Sequence, residues 1–64
     1  MKLTPRQTEI MRLLASGFAD KEIANKLGIK VSTVRFHLRE VFARLKSRHR
    51  AHAMALFLPI TLGR

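Results

Sequence analysis

The stretch Asp20-Lys21-Glu22-Ile23-Ala24-Asn25-Lys26-Leu27-Gly28-Ile29-Lys30-Val31-Ser32-Thr33-Val34-Arg35-Phe36-His37-Leu38-Arg39 decides the fold. Ile23, Ala24 and Leu27 form an apolar stripe at helical spacing. Glu22 falls in the first turn, where the helix dipole favours a carboxylate, and Asp20 is expected to act as the N-cap. Gly28 ends this helix and supplies the freedom for a positive φ that a tight turn uses. The apolar period resumes at Val31, Val34, Leu38, Val41, Phe42 and Leu45, while Arg35, Arg39 and Lys46 fall on other sides of the same helix. Helices over about 20–27 and 31–46, joined by a short turn, have the spacing of a helix-turn-helix. Ala24 is small where the two would approach most closely.

Working outward, Thr4-Pro5-Arg6-Gln7 reads as a helix start. Thr4 can cap, Pro5 suits the first helical position, and Gln7 can reach back to the amide of the cap. Ile10, Met11, Leu13 and Leu14 continue the helix to about residue 16, where Gly17 stops it. Ala51 to Leu58 is apolar nearly all round and is expected to form a last helix of about 49–58, ended by Pro59. The fold class is therefore all-α, a four-helix bundle-like single domain over 1–64 with no strand signal.

A chain of 64 residues has room for one small core and folds with little to spare. It has no cysteine, which excludes disulfides and thiolate metal sites and permits a reducing cytoplasm. No apolar run reaches the length of a membrane span, and no signal peptide is present, so a cytoplasmic location is expected. The net charge of +9 points to a polyanion or an anionic surface. That charge is uneven, because residues 30–50 carry seven bases and one acid. Pinning Val34 and Leu38 on the core turns Arg35, Phe36 and Arg39 outward, and a basic helix so presented fits the major groove of DNA.

Three blocks carry a family resemblance: Leu3-Thr4-Pro5-Arg6-Gln7-Thr8-Glu9-Ile10, Lys21-Glu22-Ile23-Ala24 through Leu27-Gly28-Ile29, and Thr33-Val34-Arg35-Phe36-His37-Leu38. At this spacing, with a further helix after them, they resemble the LuxR/GerE-type DNA-binding domain. The resemblance implies sequence-specific binding of double-stranded DNA, with the helix at 31–46 in the major groove. It implies Arg35, Phe36 and Arg39 as base contacts, and Lys30, Ser32, Thr33, His37 and Lys46 as phosphate contacts. It further implies a homodimer through the last helix on an inverted repeat. Such domains form the C-terminal effector part of bacterial transcription regulators, behind a receiver or signal-binding domain, and no cofactor is expected.

The chain departs from that family pattern in places. Lys30 stands where a Ser or Thr would cap the recognition helix, so this helix is expected to begin later with Ser32 as cap, or to fray. His49 and His52 replace a capping box, leaving Ser47 as the nearest substitute cap for the last helix. Lys46 and Ser47 occupy positions where Gly and Val are frequent in the family. The resemblance also suggests Glu9 as an ion-pair partner of Arg48 or Arg50.

The last helix is too apolar to have one face in water, which marks His52, Met54, Ala55 and Leu56 as a dimer interface. His49 and His52 lack the further ligands a metal would need, and no nucleophile–base pair, phosphate loop or paired carboxylate supports an enzyme. A sigma-factor region-4 domain, which would also contact RNA polymerase, shares the Leu-Thr-Pro-Arg opening. The short Gly17–Asp20 connection and the extra helix speak against it. A cationic membrane-surface peptide would lack the punctuated turns and the small packed Ala24.

Overall fold

A computed structural model of the protein describes residues 3–47 and 49–62, with the backbone alone over 58–62. Four helices follow one another: α1 (Pro5–Ala15), α2 (Asp20–Leu27), α3 (Val31–Leu45) and α4 (Arg50–Leu62). No strand occurs among the described residues. Helix α3 packs against all three others and forms the spine of the domain. The core comprises Ile10, Met11 and Leu14 of α1, Ile23 and Ala24 of α2, Val34, Leu38, Val41 and Leu45 of α3, and Ala53 and Phe57 of α4. The α3 and α4 sets recur every three or four residues, and the adjacent pairs Ile10–Met11 and Ile23–Ala24 widen the same stripe on α1 and α2, so each helix buries one face.

The start of α1 is as the sequence indicates. The Gln7 amide donates to Thr4 Oγ1 at 3.1 Å, and the Thr4 amide donates to Gln7 Oε1 at 3.0 Å. This reciprocal pair satisfies amides that the helix leaves without partners.

The other three starts differ from expectation. Asp20 is the first residue of α2 rather than its cap; Ala19 takes the cap position, and its amide donates to Glu22 Oε1 at 2.7 Å. Glu22 thus ties down the helix entry and leaves the Asp20 carboxylate free for tertiary contacts. Helix α3 begins at Val31, without fraying back to Ser32, although Lys30 supplies no side-chain cap. The Lys30 carbonyl compensates by accepting from the Thr33 and Val34 amides at 3.0 and 3.1 Å. Ser47 does not cap α4, because its Oγ donates to the Phe42 carbonyl at the end of α3. His49 does so instead, its Nδ1 accepting from the His52 amide at 3.3 Å.

Helices α1, α2 and α3 all end in the same hydrogen-bond pattern. A residue with positive φ donates to the carbonyl three back, and the next amide reaches five back. The donor pairs are Gly17 with Phe18, Gly28 with Ile29, and Lys46 with Ser47. Gly17 has φ 99° and Gly28 φ 67°, whereas Lys46 adopts φ 54° as the one non-glycine residue with positive φ among the described residues. Helix α4 also departs from expectation, running through Pro59 to Leu62. Proline's φ is itself helical; the missing amide forfeits one bond, to the carbonyl of Ala55, an exposed residue where water can replace it.

Candidate nucleic-acid interface

The face of α3 opposite the core is built by the same periodicity that buries Val34, Leu38, Val41 and Leu45. Ser32, Arg35, Phe36 and Arg39 share this outer face, and all four are exposed. Phe36, at 51% exposure, is the only large hydrophobic side chain left open among the described residues. An apolar ring held in water between two arginines costs free energy unless a partner covers it. Its ring meets that of His37 edge-on, with centroids 5.8 Å apart.

The flanking residues expected to meet phosphates divide by exposure. Lys30 and Lys46 are exposed at the two ends of α3, while Thr33 and His37 are half-buried. His37 Nδ1 is buried without a hydrogen-bond partner among the described residues. An unpartnered ring acceptor is cheaper than an unpartnered N–H, so Nε2 rather than Nδ1 is the nitrogen suited to carry a hydrogen. Such a ring can donate from Nε2.

Arg35 is tied to Asp20, the residue expected to cap α2. Its Nε donates to Asp20 Oδ2 at 3.4 Å, and Arg50 Nη2 donates to the same oxygen at 3.2 Å. The second oxygen, Oδ1, is buried and 3.1 Å from Arg50 Nη2, without the alignment of a hydrogen bond. The Asp20 side chain is 14% exposed, against 64% for Arg35 and 49% for Arg50. One carboxylate at the start of α2 therefore joins α3 to α4, and pairs that open to solvent add little stability. The partners are 15 and 30 residues away in sequence, so no local pattern signals them. The suggested pairing of Glu9 with Arg50 does not form, since Arg6 is the closer cation and reaches Glu9 Oε1 at 3.3 Å. Arg48 lies outside the described residues.

On α4, Ala53 and Phe57 are used by the core. Of the residues expected at an interface between copies, Ala55 is exposed, and His52, Met54 and Leu56 are half-buried. Met54 and Leu56 both pack on the edge of the core, so the apolar surface left over is smaller than composition suggests. Among the described residues no helix is long and apolar enough to cross a membrane, and no three His, Cys, Asp or Glu side chains gather as a metal site.

Comparison with known proteins gives a consistent picture. The chain is 41% identical over 59 residues to a putative HTH-type transcriptional regulator, YhjB, of Escherichia coli, covering 92% of this chain and 29% of that protein. It is 38% identical over 58 residues to a probable transcriptional regulatory protein, SgaR, of Hyphomicrobium methylovorum, covering 91% of this chain and 28% of the relative. The nitrate/nitrite response regulator protein NarL of Escherichia coli is 38% identical over 52 residues, covering 81% and 24%. The chain thus spans about a quarter of the length of these relatives. No solved structure matches it. The family model for bacterial regulatory proteins of the luxR family matches residues 1–57, and the chain belongs to that family.

Proposed function

We propose that this chain is the sequence-specific, double-stranded-DNA-binding effector domain of a transcription regulator, reading the major groove through α3. The observation that carries the reading is the exposure of Arg35, Phe36 and Arg39 on one face of a helix whose other face is locked in the core. Arg35 and Arg39 offer bidentate donors to guanine, and Phe36 an apolar contact to a thymine methyl. Lys30, Ser32, Thr33, His37 and Lys46 surround them as phosphate contacts. With seven bases in residues 30–50, displaced counterions supply much of the affinity and make it depend on salt.

Binding as a weak homodimer through His52, Met54, Ala55 and Leu56 of α4 would place two recognition helices on an inverted repeat. These relatives are about four times longer than this chain, and one of them, NarL, is named as a response regulator, which supports a receiver or signal-binding domain N-terminal to α1 in the whole protein. A cytoplasmic location follows from DNA as the partner. The region-4 alternative, with its RNA polymerase contact, is not favoured. The α1–α2 connection spans only residues 16–19, and α4 follows the recognition helix.

Selection of the domain against a random duplex DNA pool at near-physiological salt tests this reading. Enrichment of an inverted repeat is the expected result. A single enriched half-site would keep the readout and remove the dimer. Binding without enrichment, lost as salt rises, would refute sequence-specific recognition.

A further inference from the structure

We propose that Asp20 is a specificity-positioning residue, holding Arg35 by its Nε so that its two terminal nitrogens face a guanine as a preset fork. The inference rests on Arg35 being a base reader and adds the residue that aims it. A cleft of about 310 Å³ lies between α2, α3 and α4, lined by Asp20, Arg35, Leu38, Arg39, Phe42 and Arg50. Asp20 is the single acid among three guanidinium groups there, and it is mostly buried while they are open. As the first residue of α2 it stands at the helix end whose dipole favours negative charge.

The choice of nitrogen is what matters. A guanidinium has five N–H donors in a rigid plane, and the bond to Asp20 Oδ2 engages only the one on Nε. The four donors on the terminal nitrogens remain, in the end-on arrangement that matches guanine O6 and N7. A carboxylate that sequestered Arg35 would instead engage those terminal nitrogens and compete with the base. An arginine already held in one orientation gives up less side-chain freedom on binding. Arg50 completes the device by donating to the same Oδ2 from α4. The trio of Asp20, Arg35 and Arg50 keeps a net positive charge towards DNA. The arrangement also ties the helix expected to dimerise to the side chain expected to read the base.

The test compares wild type with Asp20→Asn, Asp20→Ala, Arg35→Ala and the double variant Asp20→Asn/Arg35→Ala. Each is titrated against the duplex enriched by wild type and against its single base-pair substitutions, with thermal melts run alongside. A bidentate guanine contact discriminates by about 5- to 150-fold, and loss of its aiming partner is expected to remove about three- to tenfold of that. The loss should fall on the same base pair that Arg35→Ala relaxes, and affinity for unrelated DNA should hold or rise as a negative charge is removed. In the double variant, discrimination should equal that of Arg35→Ala alone. Asp20→Asn is nearly isosteric and serves if the alanine variant does not fold. Full retention of the base preference in Asp20→Asn would overturn the proposal, as would a uniform loss over all sequences. Arg35→Ala leaving every preference intact would instead overturn the reading of Arg35 itself, a separate and recognisable outcome.

Discussion

Replacing Lys46 by glycine is expected to stabilise this domain. Lys46 closes α3 with φ 54° and ψ 39°, the left-handed conformation. An L-residue there is strained by about 1–2 kcal/mol, because its Cβ crowds the following carbonyl. Glycine escapes that strain but loses about 0.5–1 kcal/mol through its greater freedom in the unfolded chain. The difference favours glycine by about 0.5–1 kcal/mol. For a domain this size that raises Tm by about 2–8 °C. The side chain of Lys46 is exposed, so little packing is lost. Thermal unfolding followed by circular dichroism measures the effect, with two controls. Lys46→Ala removes the same charge but keeps the strained Cβ, and should leave Tm nearly unchanged. Gly28→Ala makes the reverse exchange at φ 67°, where the added Cβ meets no tertiary neighbour within 4 Å and only the local backbone strain remains, and should lower Tm by a similar amount. If Gly28→Ala destabilises while Lys46→Gly does not stabilise, the left-handed cap at Lys46 is not the source of strain and the reasoning fails.

Thr4→Ala should cost about 1 kcal/mol in a denaturant titration, because it removes the acceptor for the Gln7 amide at the start of α1. Lys30→Ser should raise stability by about 0.5–1 kcal/mol by capping α3, while filter binding at two salt concentrations shows weaker DNA affinity from the lost cation. Phe57→Ala, at 1% exposure, removes a core ring worth about 3–5 kcal/mol, and the far-ultraviolet dichroism of the isolated domain should collapse at room temperature. Arg39→Ala should relax base preference at one position of each half-site, whereas Lys46→Ala should weaken all duplexes alike and lower the salt slope by about one, both read from binding titrations.

The exchange of roles at the helix ends follows from which bonds are local. The Thr4–Gln7 capping box spans three residues and was evident from the types at those positions. The same spacing brings the Glu22 side chain to the Ala19 amide and the His49 ring to the His52 amide, yet neither was expected. In each case two acceptors competed for one helix start. Asp20 yields to Glu22 because its own carboxylate is better used by Arg35 and Arg50 across the cleft. Ser47 yields to His49 because the left-handed turn at Lys46 brings its hydroxyl back to the Phe42 carbonyl.

The outer face of α3 was legible for a related reason. Once Val34, Leu38, Val41 and Leu45 are assigned to the core, helix geometry alone puts Arg35, Phe36 and Arg39 outside. The surplus apolar character of α4 was less informative. Composition does not say how much of Met54 and Leu56 the rim of the core absorbs.

By itself the sequence determined four helices, the stops at Gly17 and Gly28, the buried stripe of α3 and the charge that surrounds its outer face. All of these depend on residues within a turn or two of one another, where covalent geometry dictates who can meet. Only the tertiary structure decided that Asp20 holds Arg35 and Arg50 and that α4 gives Ala53 and Phe57 to the core. The long-range choices depend on how helices cross. A carboxylate selects the cation that packing brings within reach, and a sequence with thirteen cations for four acids leaves that selection open until the chain has folded.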